Sequence, residues 1–419
     1  MSGGRRHGQA VIVGLVALCA LALPFAALGA ERITLAGTYH TFTDGLDELL
    51  AEFARETGIE VEKLPAMGND MAGQIVTMAA GGVAPDVLYS HSRIVKELSE
   101  LGLLRPLDDL VARDGIDLGQ FAPLAISYLY HQGRLYALPS AINPNPFYTN
   151  NTLLDQAGVD RLPTAWDQSW TFGDFVETLK KLTRDTNGDG TSDVYGFSNG
   201  TGLDNLLSFF DLPWTDETRT RFLGTEPAQI EAMTLLASLS LEHGVVNPGG
   251  FARPGGFRDG GSAIAYAHGG EVNTMVQIGF PNWSLAAIPF AKKTFGTVHN
   301  FAIYRDSAQA DAAWKLVTYL TYDPRGNEAF AKLENRVPAL RGMGASYLER
   351  ISALAPGSRP EVLLGAVDHI WHHRLAEGLN GLEASTELTA AMEAILDGRK
   401  SVEAALTEAK PVIEGILRR

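Results

Sequence analysis

Thiol chemistry is all but missing from this 419-residue chain, whose single cysteine, Cys19, lies inside an apolar N-terminal stretch. A lone cysteine there excludes a disulfide framework and leaves the rest of the chain no thiolate nucleophile. Lipidation is not expected either, because Leu18 stands where a small residue would precede a lipidated cysteine. Beyond residue 30 no apolar run approaches the ~20 residues of a membrane-spanning helix. Positive charge is also short: 34 Lys and Arg face 49 Asp and Glu, a net charge of −15. Losing residues 1–30 would remove Arg5 and Arg6 and no acid, giving −15 − 2 = −17. That surface argues against nucleic acid or anionic membrane as a partner. GxxxxGK[ST] and HExxH sequences are absent, which removes the phosphate-binding loop and the zinc-peptidase helix from consideration.

What is present begins with an export-like segment. Arg5 and Arg6 precede the apolar run Val11–Phe25, and the small residues Ala27, Gly29 and Ala30 follow before Glu31. This order predicts a cleavable signal over residues 1–30, and so a soluble periplasmic product. The remaining length and the 45% apolar content suit two α/β lobes with separate cores.

Along the first lobe the pattern reads strand, loop, helix, strand. Ile33–Leu35 opens into the loop holding Tyr39 and His40; Leu46, Leu49, Leu50 and Phe53 then recur at helical spacing, and Ile59–Leu64 reads as extended. Met71–Ala80, Asp86–Tyr89 and Ile94–Leu101 continue as helix, strand and helix. In open α/β sheets a ligand sits beyond the carboxyl ends of the strands, which favours Tyr39, His40, Ser90 and His91. Asn143-Pro144-Asn145-Pro146 reads as a stiff passage between lobes, its two asparagines offering both donors and acceptors. Later elements are helices over Asp174–Leu182, Ala228–Glu242, Ala312–Tyr319 and Ser401–Leu417, with strands over Ala263–Ala267, Leu285–Pro289 and Val298–Tyr304.

Several of these stretches, in order, resemble the family 1 extracellular solute-binding proteins of ABC importers, the maltodextrin-binding-protein-like group. They are Ala79–Val87 (AAGGVAPDV), Gly133–Asn150 (GRLYALPSAINPNPFYTN), Asp185–Phe197 (DTNGDGTSDVYGF), Phe257–Ala267, Arg336–Leu340 (RVPAL) and Leu396–Leu406, the last similar to the family's closing helix. The resemblance implies the type II periplasmic binding protein fold, with lobes of residues 31–143 plus 290–335 and 144–289 plus 336–419. It also implies a cleft that closes on a sugar or oligosaccharide, and a monomer that hands its solute to the transmembrane subunits of an ABC permease. Two departures concern the ligand. His268-Gly269-Gly270-Glu271 stands where the family often has a stacking tryptophan, and Asp368–His373 is rich in histidine.

Sugar capture needs flat apolar faces and pre-placed polar groups. The candidates are Tyr39, His40, Ser90, His91, Asn143, Asn145, His268, Glu271 and Arg336, with Trp214 and Trp371 as stacking rings. Asp185, Asn187, Asp189 and Asp193 match the opening of a calcium loop, with Gly190 at the bend. Gly196 holds the place of the closing glutamate, so the loop reads either as a structural calcium site or as a self-bonded polar turn. His369, His372 and His373 fall at helical spacing, which would gather three imidazoles. A polyamine, sugar phosphate or metal ion is the alternative solute. A secreted carbohydrate-active enzyme is the rival class, and it would need a pair of carboxylates facing across the cleft.

Overall fold

The computed structural model describes residues 31–37, 44–68, 70–248, 250, 252–371 and 373–419. The expected signal segment, Tyr39, His40 and His372 lie outside the described residues.

The first sheet begins with three parallel strands, β1 (Glu31–Ala36), β2 (Ile59–Lys63) and β3 (Val87–His91). The central strand, β3, is buried on both faces, as a strand covered by helices on each side must be. A small hairpin, β4 (Tyr130–His131) and β5 (Arg134–Leu135), turns through Gln132 and Gly133, both at positive φ. It leads into β6 (Ala137–Pro144), all eight residues of which are buried.

Only Asn145 and Pro146 separate β6 from β7 (Phe147–Asn150), which belongs to a second sheet with β8 (Tyr195–Asn199), β9 (Ser262–Tyr266) and β10 (Trp283–Ala286). Its order is β10-β7-β9-β8, and β8 and β9 run parallel. The chain then returns in β11 (Thr294–Ile303), which pairs antiparallel with both β3 and β6. Two short strands complete the first sheet: β12 (Val337–Pro338) on β6 and β13 (Ile370–Trp371) on the start of β11.

The third passage between lobes falls later than the expected break at residues 335–336. Val337 and Pro338 still pair in the first sheet. The helix Gly344–Leu354 rests on the first-lobe helix Pro324–Glu334 through Ser346 to Glu328 and Arg350 to Asn335. Only at Ser358, whose carbonyl accepts from Leu285, does the chain reach the second sheet.

Two clusters of buried side chains form the interior, and the first runs from the first sheet onto the second through Tyr148, Ala265 and Leu285. Aliphatic side chains such as Ile33, Leu35, Leu50 and Leu316 fill the first, with Tyr89, Phe301 and Phe330 in mutual contact. The second is aromatic: Phe147 stacks on Phe175 at 5.4 Å, and Phe197, Phe209 and Tyr266 meet Phe147 edge-on. The helix Phe172–Leu182 covers this core and starts two residues before the expected Asp174, because Thr171 and Asp174 form a reciprocal cap. The stretch Leu396–Leu406 is not one helix. Gly381–Leu396 ends there, and Val402–Leu417 begins after a turn capped by Ser401.

Candidate functional site

Where the lobes face one another the structure leaves a pocket of about 240 Å³. The first lobe contributes His91 at the end of β3, the first turn of the helix Ser92–Glu100, and Tyr128. The passage strand β11 supplies Phe295, Gly296 and Thr297 as the back wall. From the second lobe come Asp204 and Asn205, and the His373–Glu377 turn. Both lobes and the strand joining them therefore shape a single pocket, and its walls change whenever the lobes move.

The polar groups in this pocket are held in defined states. His373 Nδ1 accepts from the Ala376 N–H at 3.3 Å, so its Nε2 carries the proton and faces Asp204 Oδ2 at 3.3 Å. Trp214 fixes Asp204 from behind by donating its indole N–H to the Asp204 carbonyl at 3.1 Å. Burial, followed by the nearby charges of Arg93 and Arg336, lowers the His91 pKa to about 3, so this imidazole is neutral at ordinary pH. Its Nδ1 is buried without a partner among the described residues. A buried ring nitrogen in that condition costs free energy until something bonds to it.

A larger cavity of about 700 Å³ lies on the second lobe, beyond the carboxyl ends of β8 and β9. Leu203, Leu206, Leu236 and Leu239 line it, with His268 and Glu271 at one side. The 204–205 turn is the partition, since Leu203 faces the larger cavity while Asp204 and Asn205 face the smaller.

Of the residues expected from sequence, His91 is the one that lines the interlobe pocket, while His268 and Glu271 line the cavity beside it. Glu271 pairs with Arg258, and burial lowers the His268 pKa. Arg336 lines neither cavity; it pairs with Glu334 and acts on His91 and His268 through its charge. The other expectations are corrected by burial and by partners already in place. Ser90 donates to Asn300 inside the sheet. The Asn143 Oδ1 accepts from the Gly270 N–H at 2.9 Å, and Asn145, fully buried, bonds to the His268 ring at 3.0 Å. These two asparagines hold the passage to the loop after β9.

Trp214 and Trp371 are core residues, not stacking platforms. Trp214 is fully buried and parallel to Phe222, and Trp371 lies on β13 with its ring against His373. His369 and His373 do not share a helix face, because Ile370–Trp371 between them is extended and His369 stacks on Trp166 instead. In the 185–193 loop, Asp185 accepts the N–H groups of Asn187, Gly188 and Gly190, and Asp193 accepts from Thr186 and Asn187. Asn187 and Asp189 likewise accept from the next N–H but one. Among the described residues no group of three or more His, Cys, Asp or Glu is placed to hold a metal ion.

Sequence reading missed Arg93, Tyr128, Asp204, Asn205, Phe295 and Glu377. None carried a local signal; Phe295 lies ahead of the expected strand Val298–Tyr304, in a stretch whose Gly and His hide its extended form. One GxSxG spacing does occur, Gly196–Gly200, but it is not a nucleophile elbow. Ser198 is fully buried within β8 and bonded to Ser262.

With this geometry established, relatives fix the class. The model of the bacterial extracellular solute-binding protein family matches residues 39–323, more than half the chain. The chain belongs to that family. A binding protein of Brucella abortus (strain 2308) is 22% identical over 97% of this chain and 98% of its own length. Among solved structures, the chain is similar to the ABC substrate-binding protein Lmo0181 of Listeria monocytogenes in complex with cycloalternan. The TM-score is 0.77 at 20% identity, covering 93% of this chain and 99% of that one. It is equally similar to the sugar-binding protein MalE of Xanthomonas citri, with a TM-score of 0.77 at 18% identity over 93% and 98%. The fold is thus the two-lobed one of periplasmic binding proteins, and the family members are binding proteins, not enzymes.

Proposed function

We propose that the chain captures a sugar or oligosaccharide between its lobes and delivers it to an ABC permease after export through a signal in residues 1–30. The observation that carries this reading is the interlobe pocket, where the rings of Phe295 and Tyr128 stand beside Asp204, His373 and Glu377. Rings cover the C–H faces of a pyranose, and fixed donors and acceptors pair its hydroxyls. At about 240 Å³ the pocket is smaller than the ~300–1,000 Å³ of sites for drug-sized molecules, which suits one sugar unit. The adjoining cavity has room for further units. Two of the solved relatives are a cycloalternan complex and a sugar-binding protein, which supports the same class.

Arg93 on the pocket wall favours a second reading, a solute that carries an acid group. Melting residues 31–419 against neutral sugars, sugar acids, sugar phosphates, polyamines and divalent ions separates the two. A ligand at a hundred times its Kd stabilises by about 2.7 kcal/mol, enough for a clear rise in Tm. A response to neutral sugars supports the first reading, and one restricted to acids the second. Response to amines or metal ions alone removes both.

A further inference from the structure

Away from the pocket walls, one ion pair joins the lobes directly. Glu100 ends the helix Ser92–Glu100, whose first turn lines the interlobe pocket. Its Oε1 receives Arg219 Nη1 at 3.2 Å from the second lobe, and its Oε2 receives the backbone N–H of Leu379, also from the second lobe. Arg219 completes the triangle by donating Nη2 to the Leu379 carbonyl at 3.1 Å. The pair is largely shielded, with 13% of the Arg219 side chain and 21% of Glu100 exposed. It is therefore less screened than the exposed pairs elsewhere on the surface.

Two local features show that the second lobe is shaped for this contact. Arg219 sits at φ +56°, a conformation unfavourable for a residue with a side chain. The surrounding turn holds it there: the Asp216 carboxylate accepts from Thr218, Thr220 and Arg221, and the Arg219 N–H bonds to the Asp216 carbonyl. Opposite, Gly378 is at φ +65°, and a methyl group on it would overlap both the Arg219 guanidinium and the Glu100 carboxylate. The space between the three is filled.

We propose that Glu100, Arg219 and the Gly378–Leu379 turn form a latch that stabilises the closed arrangement of the lobes without any solute. Because the short helix Ser92–Glu100 carries Arg93 at one end, directly after His91, and Glu100 at the other, the latch and the pocket walls move together. The inference rests on hinge closure between the lobes and not on the identity of the solute. Each partner lies outside both cavities, so solute contacts are not removed when the latch is.

The test is small-angle X-ray scattering of residues 31–419 with no solute added, comparing the natural protein with Glu100→Ala, Arg219→Ala and the double variant. Each single change is expected to shift the closed-to-open ratio by roughly tenfold and to raise the radius of gyration. The double variant should go no further than either single one, since one interaction is lost in all three. Glu100→Gln gives a gentler version with the same direction, should the alanine variant fold poorly by circular dichroism. Arg305→Ala, which breaks a pair with Asp306 inside the first lobe, should leave the scattering unchanged. Identical curves for the natural protein and the latch variants would overturn the proposal, as would an equal expansion in Arg305→Ala. No sugar enters the measurement, so a failed sugar screen has no bearing on its outcome.

Discussion

His91 illustrates how one side chain ties the pocket to folding. Its pKa is about 3 in the folded chain against an ordinary 6.5, chiefly through burial. The unfolded chain therefore takes up a proton between those values that the folded chain refuses. Stability contributed this way is intact above about pH 6.5 and declines as pH falls toward 3. Urea unfolding at a series of pH values checks it, and His91→Gln should flatten the slope across that window. Asp204 makes a complementary prediction. Asp204→Asn removes the carboxylate that faces the His373 N–H, so solute affinity should drop by about tenfold or more, read by calorimetric titration. Trp214, though no ligand contact, supports Asp204 from the core, and Trp214→Ala should cost about 3–5 kcal/mol of stability in a denaturant melt. The misreading of Trp214 and Trp371 has a physical cause. A tryptophan is equally suited to stack on a sugar or to fill a core, and only the packing around it decides. His91 was legible because a strand's carboxyl end is a favoured position in any such sheet, whatever the packing.

At the scale of elements, legibility followed the strength of local signals. β3 and the helix Met71–Ala80 announced themselves through apolar runs and a Gly-Gly stop, with Asp70 as the cap. The helices Gly344–Leu354 and Gly381–Leu396 did not. Neither has a side-chain cap, and Asn380 enters the second from the left-handed region. The start of β11 was equally hidden: Thr294–His299 alternates buried and half-buried positions through Gly and His, an unremarkable pattern that pairing with β6 and β13 makes extended. Because Phe295 lies there, the back wall of the pocket was lost with it. Thr171→Ala should lower stability by about 1 kcal/mol, measured as a Tm shift, by removing the cap of Phe172–Leu182. The 185–193 loop already satisfies its carboxylates with its own N–H groups, so millimolar calcium is expected to leave Tm unchanged. A rise of several degrees would favour the structural calcium reading over the self-bonded turn.

Across the whole molecule, the order of strands places function at the passages. β6 feeds β7 through two buried residues, and β11 returns to pair with β3 and β6, so both lobes hang on the same central strands. The pocket sits where those strands meet the facing loops, so the proposed closure of the lobes would act directly on its walls. The two-lobed plan was legible because ordered motifs run the length of the chain. The pocket was not, because Asp204, Phe295 and Glu377 are far apart in sequence and meet only when the lobes do.

The most direct measurement is calorimetric titration of residues 31–419 with the sugar that raises Tm most, beside the same titration of Phe295→Ala. Capture between the lobes predicts one sugar per chain and an affinity lowered at least tenfold in the variant, whose fold should be retained. Equal affinity in both proteins, or no heat from any sugar, would contradict it.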